Sequence, residues 1–337
     1  MTKARVAING FGRIGRNAFK IAFERNDIDI VAINDLTDSK MLAYLLKHDS
    51  NYGTYHHDVS SSEGMLTVNG EEIKVCSEKD PASLPWKELE IDIVIESTGF
   101  FRKTADAMKH IEAGAKRVVI SAPAKDDDTQ TVVLGVNDDQ IDNEKPIISN
   151  ASCTTNSLGA VMMVLDQEFG VKKSMLTTVH SYTASQKLLD APAKDFRESR
   201  NAAENIVPTS TGAAVAVTKA YPKLKGKFDG ISMRVPTPVV SISDVTSLLS
   251  RSVTVEEVNV ALERASKDPF YQGILGVSHE ELVSRDYVGS SYSGVVDLPL
   301  TRVVDGDLVK VCIWYDNEWG YSNRLVELVA DIGKRAK

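Results

Sequence analysis

The stretch SNASCTTN, residues 149–156, sets one cysteine among seven small or polar residues. Cys153 has four readings there: buried filler, half of a bridge, metal ligand or nucleophile. The chain has three cysteines, Cys76, Cys153 and Cys312, odd in number, widely spaced and without a CxxC pair. That spacing excludes a disulfide framework and a zinc site built on paired cysteines, and it fits a reduced, cytosolic compartment. Cys153 follows the apolar run PIISN (146–150) and opens a helical pattern with Leu158, Val161, Met162 and Leu165 inward. A thiol at a helix N-terminus is predicted to have a lowered pKa, because free backbone N–H groups and the dipole favour the thiolate. The hydroxyls of Ser152, Thr154 and Thr155 would help to hold an anion beside it. The filler reading stands next to this one, since free cysteines are commonly buried and inert; Cys76 and Cys312, in the apolar contexts IKVC and VKVCIWY, are read that way.

A thiolate nucleophile wants a base. Of the six histidines, His180 ends the apolar MLTTVH and opens the polar SYT. It reads either as the base for Cys153 or as a strand-end surface histidine. His48, His56, His57, His110 and His279 lie in helical or loop contexts with no evident partner.

A second constellation is NGFGRIG, residues 9–15, with Gly10, Gly12 and Gly15 in G-x-G-x-x-G spacing. A strand pattern ends at Asn9, a helix begins near Arg13, and Asp35 closes the next strand, twenty residues beyond Gly15. In that setting Gly10 permits a tight turn, Gly12 lets the backbone approach a pyrophosphate, and the helix N-terminus favours the anion. Asp35 can accept hydrogen bonds from an adenosine ribose and repel a 2′-phosphate, which points to NAD.

The elements that must position these groups alternate. RVAIN (5–9), IDIVAIND (28–35), IDIVIEST (91–98), RVVIS (117–121), TVVLGV (131–136) and PIISN (146–150) read as strands. The helix 13–25 carries Ile14, Ala18, Ile21 and Ala22 on one face, and the helical KTADAMKHIEAG stops at Gly114. This rhythm predicts a mostly parallel sheet covered on both faces. From about 172 the pattern changes to longer alternating runs, 173–183, 228–236 and 307–316, which suit a mostly antiparallel sheet. In the second run Ile231, Met233 and Val235 are expected to face a core, with Ser232 and Arg234 on the other side. Thr254 and Glu257 make a capping box for a helix over 255–267. Leu325, Leu328, Val329 and Ile332 put a helix at the C-terminus. The stretch 184–210 has weak periodicity, and its Leu188, Leu189, Phe196 and Ile206 suggest a functional loop packed against something, another subunit included.

The bulk composition bounds the rest. With 337 residues, 42% hydrophobic and 26% charged, the chain is long enough for two domains with sizeable cores. A net charge of −8 argues against nucleic acid or an acidic membrane as the main partner. The start, MTKARVAING, reads as a strand rather than a secretory leader, and no run of 18 apolar residues marks a membrane span.

Taken together, INGFGRIGR, SNASCTTN, HSYT, STGAA, MRVPTP and WYDNEWGYSNR resemble the phosphorylating glyceraldehyde-3-phosphate dehydrogenase family, in order and from residue 4 to about 333. The resemblance implies an α/β fold, with an N-terminal Rossmann-type dinucleotide-binding domain over 1–151, completed by a C-terminal helix at about 318–337. An α+β catalytic domain with a mostly antiparallel sheet would cover 152–317. It also implies oxidative phosphorylation of glyceraldehyde 3-phosphate to 1,3-bisphosphoglycerate through a cysteine hemithioacetal and thioester. Cys153 matches the family's nucleophile and His180 its base. Thr183 and Arg234 match the site for the substrate's phosphate, and Ser152, Thr154, Arg197, Thr211 and Gly212 the site for attacking inorganic phosphate. Asn9, Gly10, Phe11, Gly12, Arg13, Ile14, Asp35, Lys79, Thr98, Ser121, Asn317 and Tyr321 match cofactor contacts. The 184–210 stretch resembles a loop that reaches a neighbouring subunit, which implies a homotetramer; a cytoplasmic location is expected from the reduced-looking cysteines and the missing targeting signals.

The departures from the family pattern are Lys79 for a more usual arginine, Ser157 for a non-catalytic cysteine, Ser185 for a common aspartate and Val215 for a common lysine. Ala191 replaces a leucine beside Pro192 and leaves room for a 2′-phosphate, so some NADP use stays open. The runner-up is erythrose-4-phosphate dehydrogenase, which shares the cysteine and histidine but releases its acyl group to water.

Overall fold

The computed structural model describes residues 3–335; the ends of the expected 1–151 domain and 318–337 helix at residues 1–2 and 336–337 lie outside the described residues. The chain forms two compact units. One holds the chain through Val132, residues 139–151 and the C-terminal residues from Ser322; the other holds 133–138 and 152–321.

The first unit is built on a nine-stranded sheet. Ala4–Asn9 lies between Ile28–Asn34 and Ile93–Glu96, parallel to both. Arg117–Ile120, Ile147–Ser149 and Gln130–Thr131 extend it in parallel on one side. Glu71–Cys76 continues the other side in parallel, followed by two antiparallel strands. The first strand leaves the sheet toward Ile28–Asn34 and the chain later returns on the opposite side at Ile93–Glu96. This is the switch point at which a crevice opens beyond the strand ends. The strands are buried on both faces, as parallel strands covered by helices must be: Val6, Ala7, Ile8, Ile93, Val94 and Ile95 are fully hidden.

The helix Arg13–Phe23 hides Gly15, Ala18, Phe19 and Ala22, whereas Ile14 and Ile21, expected inside, are half-buried. The buried stripe is rotated because Gly15 fits against the Gly10 carbonyl, where a Cβ would come within 2.1 Å. The strand expected over 131–136 ends at Thr131. Asn137 Oδ1 accepts from the Val133 amide and Asp138 Oδ1 from the Gly135 amide, so these donors leave the ladder, and Gly135 turns the chain at φ +76°. The C-terminal helix Trp319–Arg335 buries Leu325, Leu328, Val329 and Ile332 completely.

The second unit centres on Val171–Ser181, paired in parallel with Phe228–Val235 and antiparallel with Ser241–Leu249, which in turn pairs antiparallel with Leu308–Tyr315. The helix Cys153–Phe169 is buried on nearly all sides. Its Leu158, Val161, Met162 and Leu165 are hidden and each contribute about 1.5–3 kcal/mol of burial. The helix Val255–Ser266 starts with the Thr254–Glu257 capping box.

In Phe228–Val235 the faces are the reverse of those expected: Ser232 is 2% exposed and Ile231 44%. Parallel register with Val171–Ser181 places Ser232 beside the hidden Thr178, and Ile231 beside half-buried Thr177. Leu188, Leu189, Phe196 and Ile206 are exposed rather than packed within this chain. The end of the 184–210 stretch is ordered by Val207–Ser210, which pairs with Phe228–Val235.

Candidate active site

Three adjacent strand ends of the first unit frame a cleft of about 550 Å³. Its lining includes Asn9 and Gly10 at the end of the first strand, Asn34 and Asp35 at the end of the second, and Ser97 and Thr98 after Ile93–Glu96. The glycines divide the work as their spacing suggests. Gly10 has φ +91°, and a Cβ there would lie 2.7 Å from the Thr98 amide nitrogen. A Cβ at Gly12 would meet no protein atom within 4 Å, so the space it faces is free for a ligand. Asp35 accepts from the Phe11 amide at 2.7 Å and the Thr37 amide at 3.0 Å, which fixes its carboxylate at the cleft wall. These features fit a dinucleotide: an open glycine at a helix N-terminus for its phosphates and an anchored acid for a ribose.

Lys79 also lines the cleft, with Leu36, Glu78, Phe100 and Phe101. Phe11, Arg13, Ile14 and Ser121 are not among the lining residues. The Phe11 ring is buried edge-on against Phe19, and the Arg13 guanidinium binds Asp49 at 2.9 Å. Ser121 is tied through its amide to the Glu96 carbonyl.

Sequence reasoning missed what holds the cleft in shape. Buried Glu96 accepts from Asn9 Nδ2 at 2.6 Å and from the Thr98 amide at 2.8 Å. His110, which seemed partnerless, accepts at Nδ1 from the Trp86 indole N–H at 3.0 Å. Its remaining proton therefore sits on Nε2 and is donated to Glu96 at 3.1 Å. Only the alternation of IDIVIEST hinted that a carboxylate would be sealed in at position 96.

The cysteine opens the helix at the start of the second unit, two residues after the chain leaves the first unit at Ala151. Ala151, fully buried, takes φ +56°, a conformation that costs a non-glycine residue about 1 kcal/mol or more. Such strain is often stored at functional sites. Ser152 then caps the helix, its hydroxyl accepting from the Thr155 amide at 3.0 Å, and Cys153 is the first helical residue. The half-buried Cys153 Sγ lies 3.5 Å from His180 Nε2 and 4.0 Å from Thr154 Oγ1.

The His180 tautomer follows from its other nitrogen. Nδ1 is 2.7 Å from the Ser181 carbonyl, which can only accept, so Nδ1 carries the proton and Nε2 offers its lone pair to the sulfur. The imidazole meets the Tyr315 ring edge-on at 5.9 Å. The Tyr315 hydroxyl bridges Thr154 at 2.9 Å and Thr178 at 2.8 Å, tying the cysteine's helix to the histidine's strand. Tyr315 was not singled out from the sequence, where it is one aromatic in the apolar run VKVCIWY.

The electrostatics differ from the expectation of a thiol with a lowered pKa. Burial pushes the Cys153 thiol up; the Arg234 charge, the Thr154 hydroxyl and the backbone amides oppose it without winning. Burial, and after it Arg234, push His180 down to about 3. Desolvation outweighs the helix dipole here and favours the neutral form of each group.

Arg234 lies opposite His180 on the neighbouring strand. One of its terminal nitrogens is 3.5 Å from the Ser181 carbonyl, and its Nε is buried without a partner. Beyond the strand end, Thr183 is held by Gln186 Oε1, at 2.9 Å from its amide. Thr183 and Arg234 thus flank the same strand end. Arg197 is exposed on its loop, and no hydrogen bond or ion pair among the described residues joins its guanidinium to Cys153 or His180. The Thr211 hydroxyl accepts from the Ala213 amide, and Gly212 opens the helix Ala213–Ala220. Asn317 and Tyr321 are buried in this unit, with Asn317 Oδ1 accepting from Ser241.

Comparison with known proteins assigns both units. The family model for the glyceraldehyde 3-phosphate dehydrogenase NAD binding domain matches residues 4–104, and that for the C-terminal domain matches 152–317. The chain is 54% identical over 332 residues to glyceraldehyde-3-phosphate dehydrogenase 1 of Bacillus subtilis, covering 98% of both chains. Identity to the Geobacillus stearothermophilus glyceraldehyde-3-phosphate dehydrogenase is also 54% over 332 residues, again 98% of both. With the Borreliella burgdorferi glyceraldehyde-3-phosphate dehydrogenase it is 52% over 336 residues, 98% of this chain and 100% of the other. With both family models matched and more than half of the residues identical over nearly the whole length, the chain belongs to the glyceraldehyde-3-phosphate dehydrogenase family.

Proposed function

We propose that the chain oxidises glyceraldehyde 3-phosphate, with NAD and inorganic phosphate, to 1,3-bisphosphoglycerate, using Cys153 as nucleophile and His180 as its base. The observation that carries this is the 3.5 Å approach of Sγ to the imidazole nitrogen that the Ser181 carbonyl leaves unprotonated. As the sulfur adds to the aldehyde carbon, Nε2 takes the thiol proton, so neither ion has to exist alone in the buried site. The resulting oxyanion is stabilised by backbone N–H at the helix start and by the protonated Nε2, which passes its proton on to give the hemithioacetal. NAD supplies the acceptor for the hydride that leaves this carbon. Nε2 takes the hydroxyl proton in the same step, and the carbonyl re-forms as a thioester. A phosphate oxygen then adds to that carbonyl, the C–S bond breaks, and Cys153 recovers its proton from His180.

Arg234, with a buried Nε that lacks a protein partner, and Thr183 are assigned to the substrate's own phosphate. Ser152, Thr154, Arg197, Thr211 and Gly212 are assigned to the attacking phosphate. Asn9, Gly10, Gly12, Asp35, Lys79 and Thr98 hold the dinucleotide through the cleft they line. Asp35 favours NAD over NADP by its charge.

A homotetramer is part of the proposal. Leu188, Leu189 and Phe196 stand 71–95% exposed on the long loop. Ile231, Met175 and Leu308 share one exposed face of the eight-stranded sheet by register. Apolar surface of this kind is usually covered by a partner. A cytoplasmic setting fits three free cysteines, and no helix among the described residues is long and apolar enough to cross a membrane.

The test is NADH formation from glyceraldehyde 3-phosphate with and without inorganic phosphate, beside erythrose 4-phosphate and an NADP arm. Sustained turnover only with phosphate and NAD supports the reading. Phosphate-independent turnover, faster on erythrose 4-phosphate, refutes it. Light scattering at four times the chain mass supports the tetramer, and a monomeric mass refutes it.

A further inference from the structure

At the far end of the helix Arg13–Phe23, away from the glycines at its start, three potential metal ligands converge outside the site described above. Glu24 is the helix C-cap, and His56 and His57 follow in sequence after Tyr55. Their donor atoms, one carboxylate oxygen and two imidazole nitrogens, all lie within 4.8 Å of one another. His56 Nε2 is 3.3 Å and His57 Nε2 2.5 Å from the same Glu24 oxygen. Ligands bonded to a tetrahedral zinc at about 2.0–2.1 Å lie about 3.3 Å apart. The His56–Glu24 pair already has that separation, and the His57–Glu24 pair has to open by less than about 1 Å.

We propose that Glu24, His56 and His57 form a binding site for a divalent transition-metal ion of the zinc class, with water completing the coordination. The donor set is the His₂Glu combination that zinc accepts in open, water-bearing sites. The half-buried His57 ring is held by the edge-to-face rings of Phe23 and Tyr55, at 5.2 and 5.0 Å, so one ligand is already oriented. His56 and Glu24 are 69% and 52% exposed and give the ion its entry.

The other nitrogen of His57 completes the arrangement. Nδ1 is 2.5 Å from Asn69 Nδ2, and Asn69 Oδ1 accepts from the Asp58 amide. With the carboxamide that way round, Asn69 donates to Nδ1, and the ring proton sits on Nε2 facing Glu24. Metal binding needs that lone pair, so the proton moves to Nδ1 and the carboxamide turns by 180° to accept it, an orientation that exchanges only O and N. The exposed Asp58 amide then turns to water. An aspartate at 69 would accept from both donors without turning, and aspartate tolerates the φ of +48° found there.

The test is Zn²⁺ titration of the metal-stripped full chain by calorimetry. It is run in a Cys153→Ser background, because Cys153 and His180 offer zinc ligands of their own. One equivalent per chain is expected at this site. His56→Gln, His57→Gln and Glu24→Gln should each weaken it by about 100-fold or more, beyond the 10–100-fold typical of losing an outer partner. Asn69→Asp should tighten it by about tenfold. In chains retaining Cys153, His56→Gln should leave dehydrogenase activity unchanged, which controls for folding. Equal affinity in the parent and the His56→Gln variant, no binding by the parent, or weaker binding by Asn69→Asp would overturn the assignment.

Discussion

His180 and Arg234 face each other across two parallel strands, residue opposite residue. The imidazole that must take a proton from Cys153 therefore sits beside a fixed positive charge. Arg234 lowers the pKa of both His180 and Cys153. It resists protonation of the histidine and favours the thiolate. A phosphate bound at Arg234 would offset its charge, easing protonation of Nε2 while removing part of its support for the thiolate, so the two groups would respond to substrate binding through one guanidinium.

Replacing that guanidinium should therefore separate substrates by their charge. Arg234→Leu is expected to raise the KM for glyceraldehyde 3-phosphate by about 10–100-fold, the scale of one or two charged hydrogen bonds. Any oxidation of unphosphorylated glyceraldehyde should keep its KM. Steady-state kinetics on both aldehydes check this, and an equal loss on both would remove Arg234 from the phosphate site.

His180 should govern both turnover and acid stability. His180→Asn is expected to lower kcat by about 10²–10⁴-fold, the usual contribution of a positioned base. The folded protein holds the ring at about 3 against an ordinary 6.5, so between those values the unfolded chain binds more protons. The stability held above pH 6.5 is accordingly lost as pH falls toward 3, by a few kcal/mol. Urea unfolding at pH 4.5 and pH 8 should show a smaller difference for His180→Asn than for the parent, and an unchanged difference would contradict the buried neutral ring.

The glycines allow a test that separates folding from binding. Gly10→Ala should lower the Tm by several degrees, because its Cβ meets the Thr98 backbone at 2.7 Å and its φ is +91°. Gly12→Ala meets no protein atom, so its Tm should match the parent while NAD affinity falls by about tenfold or more. Thermal melts with and without NAD read both effects. Tight NAD binding by Gly12→Ala would place the dinucleotide elsewhere.

Much of this was legible because the signals are local. The expectations for Gly10 and Gly12 come from their spacing between a strand end and a helix start, and a cysteine between an apolar run and a helical pattern announces its own position. What was not legible depends on partners distant in sequence. Ser232 is hidden and Ile231 exposed because register with Val171–Ser181 sets their faces, which alternation within one strand cannot reveal. Tyr315 joins Thr154 to Thr178, and Glu96 joins Asn9 to His110, across separations of 14 to 161 residues. The thiol's expected acidity failed for a related reason: helix position is visible in sequence, whereas the burial that opposes it comes from the whole unit.

The most direct measurement is a rapid-mixing experiment with glyceraldehyde 3-phosphate and NAD in the absence of phosphate. A cysteine that holds its acyl group until phosphate arrives predicts a burst of one NADH per chain, then a stall that added phosphate relieves. Cys153→Ser should bind NAD and give no burst. Continuous turnover without phosphate, or a burst that survives in Cys153→Ser, would contradict a thioester on Cys153.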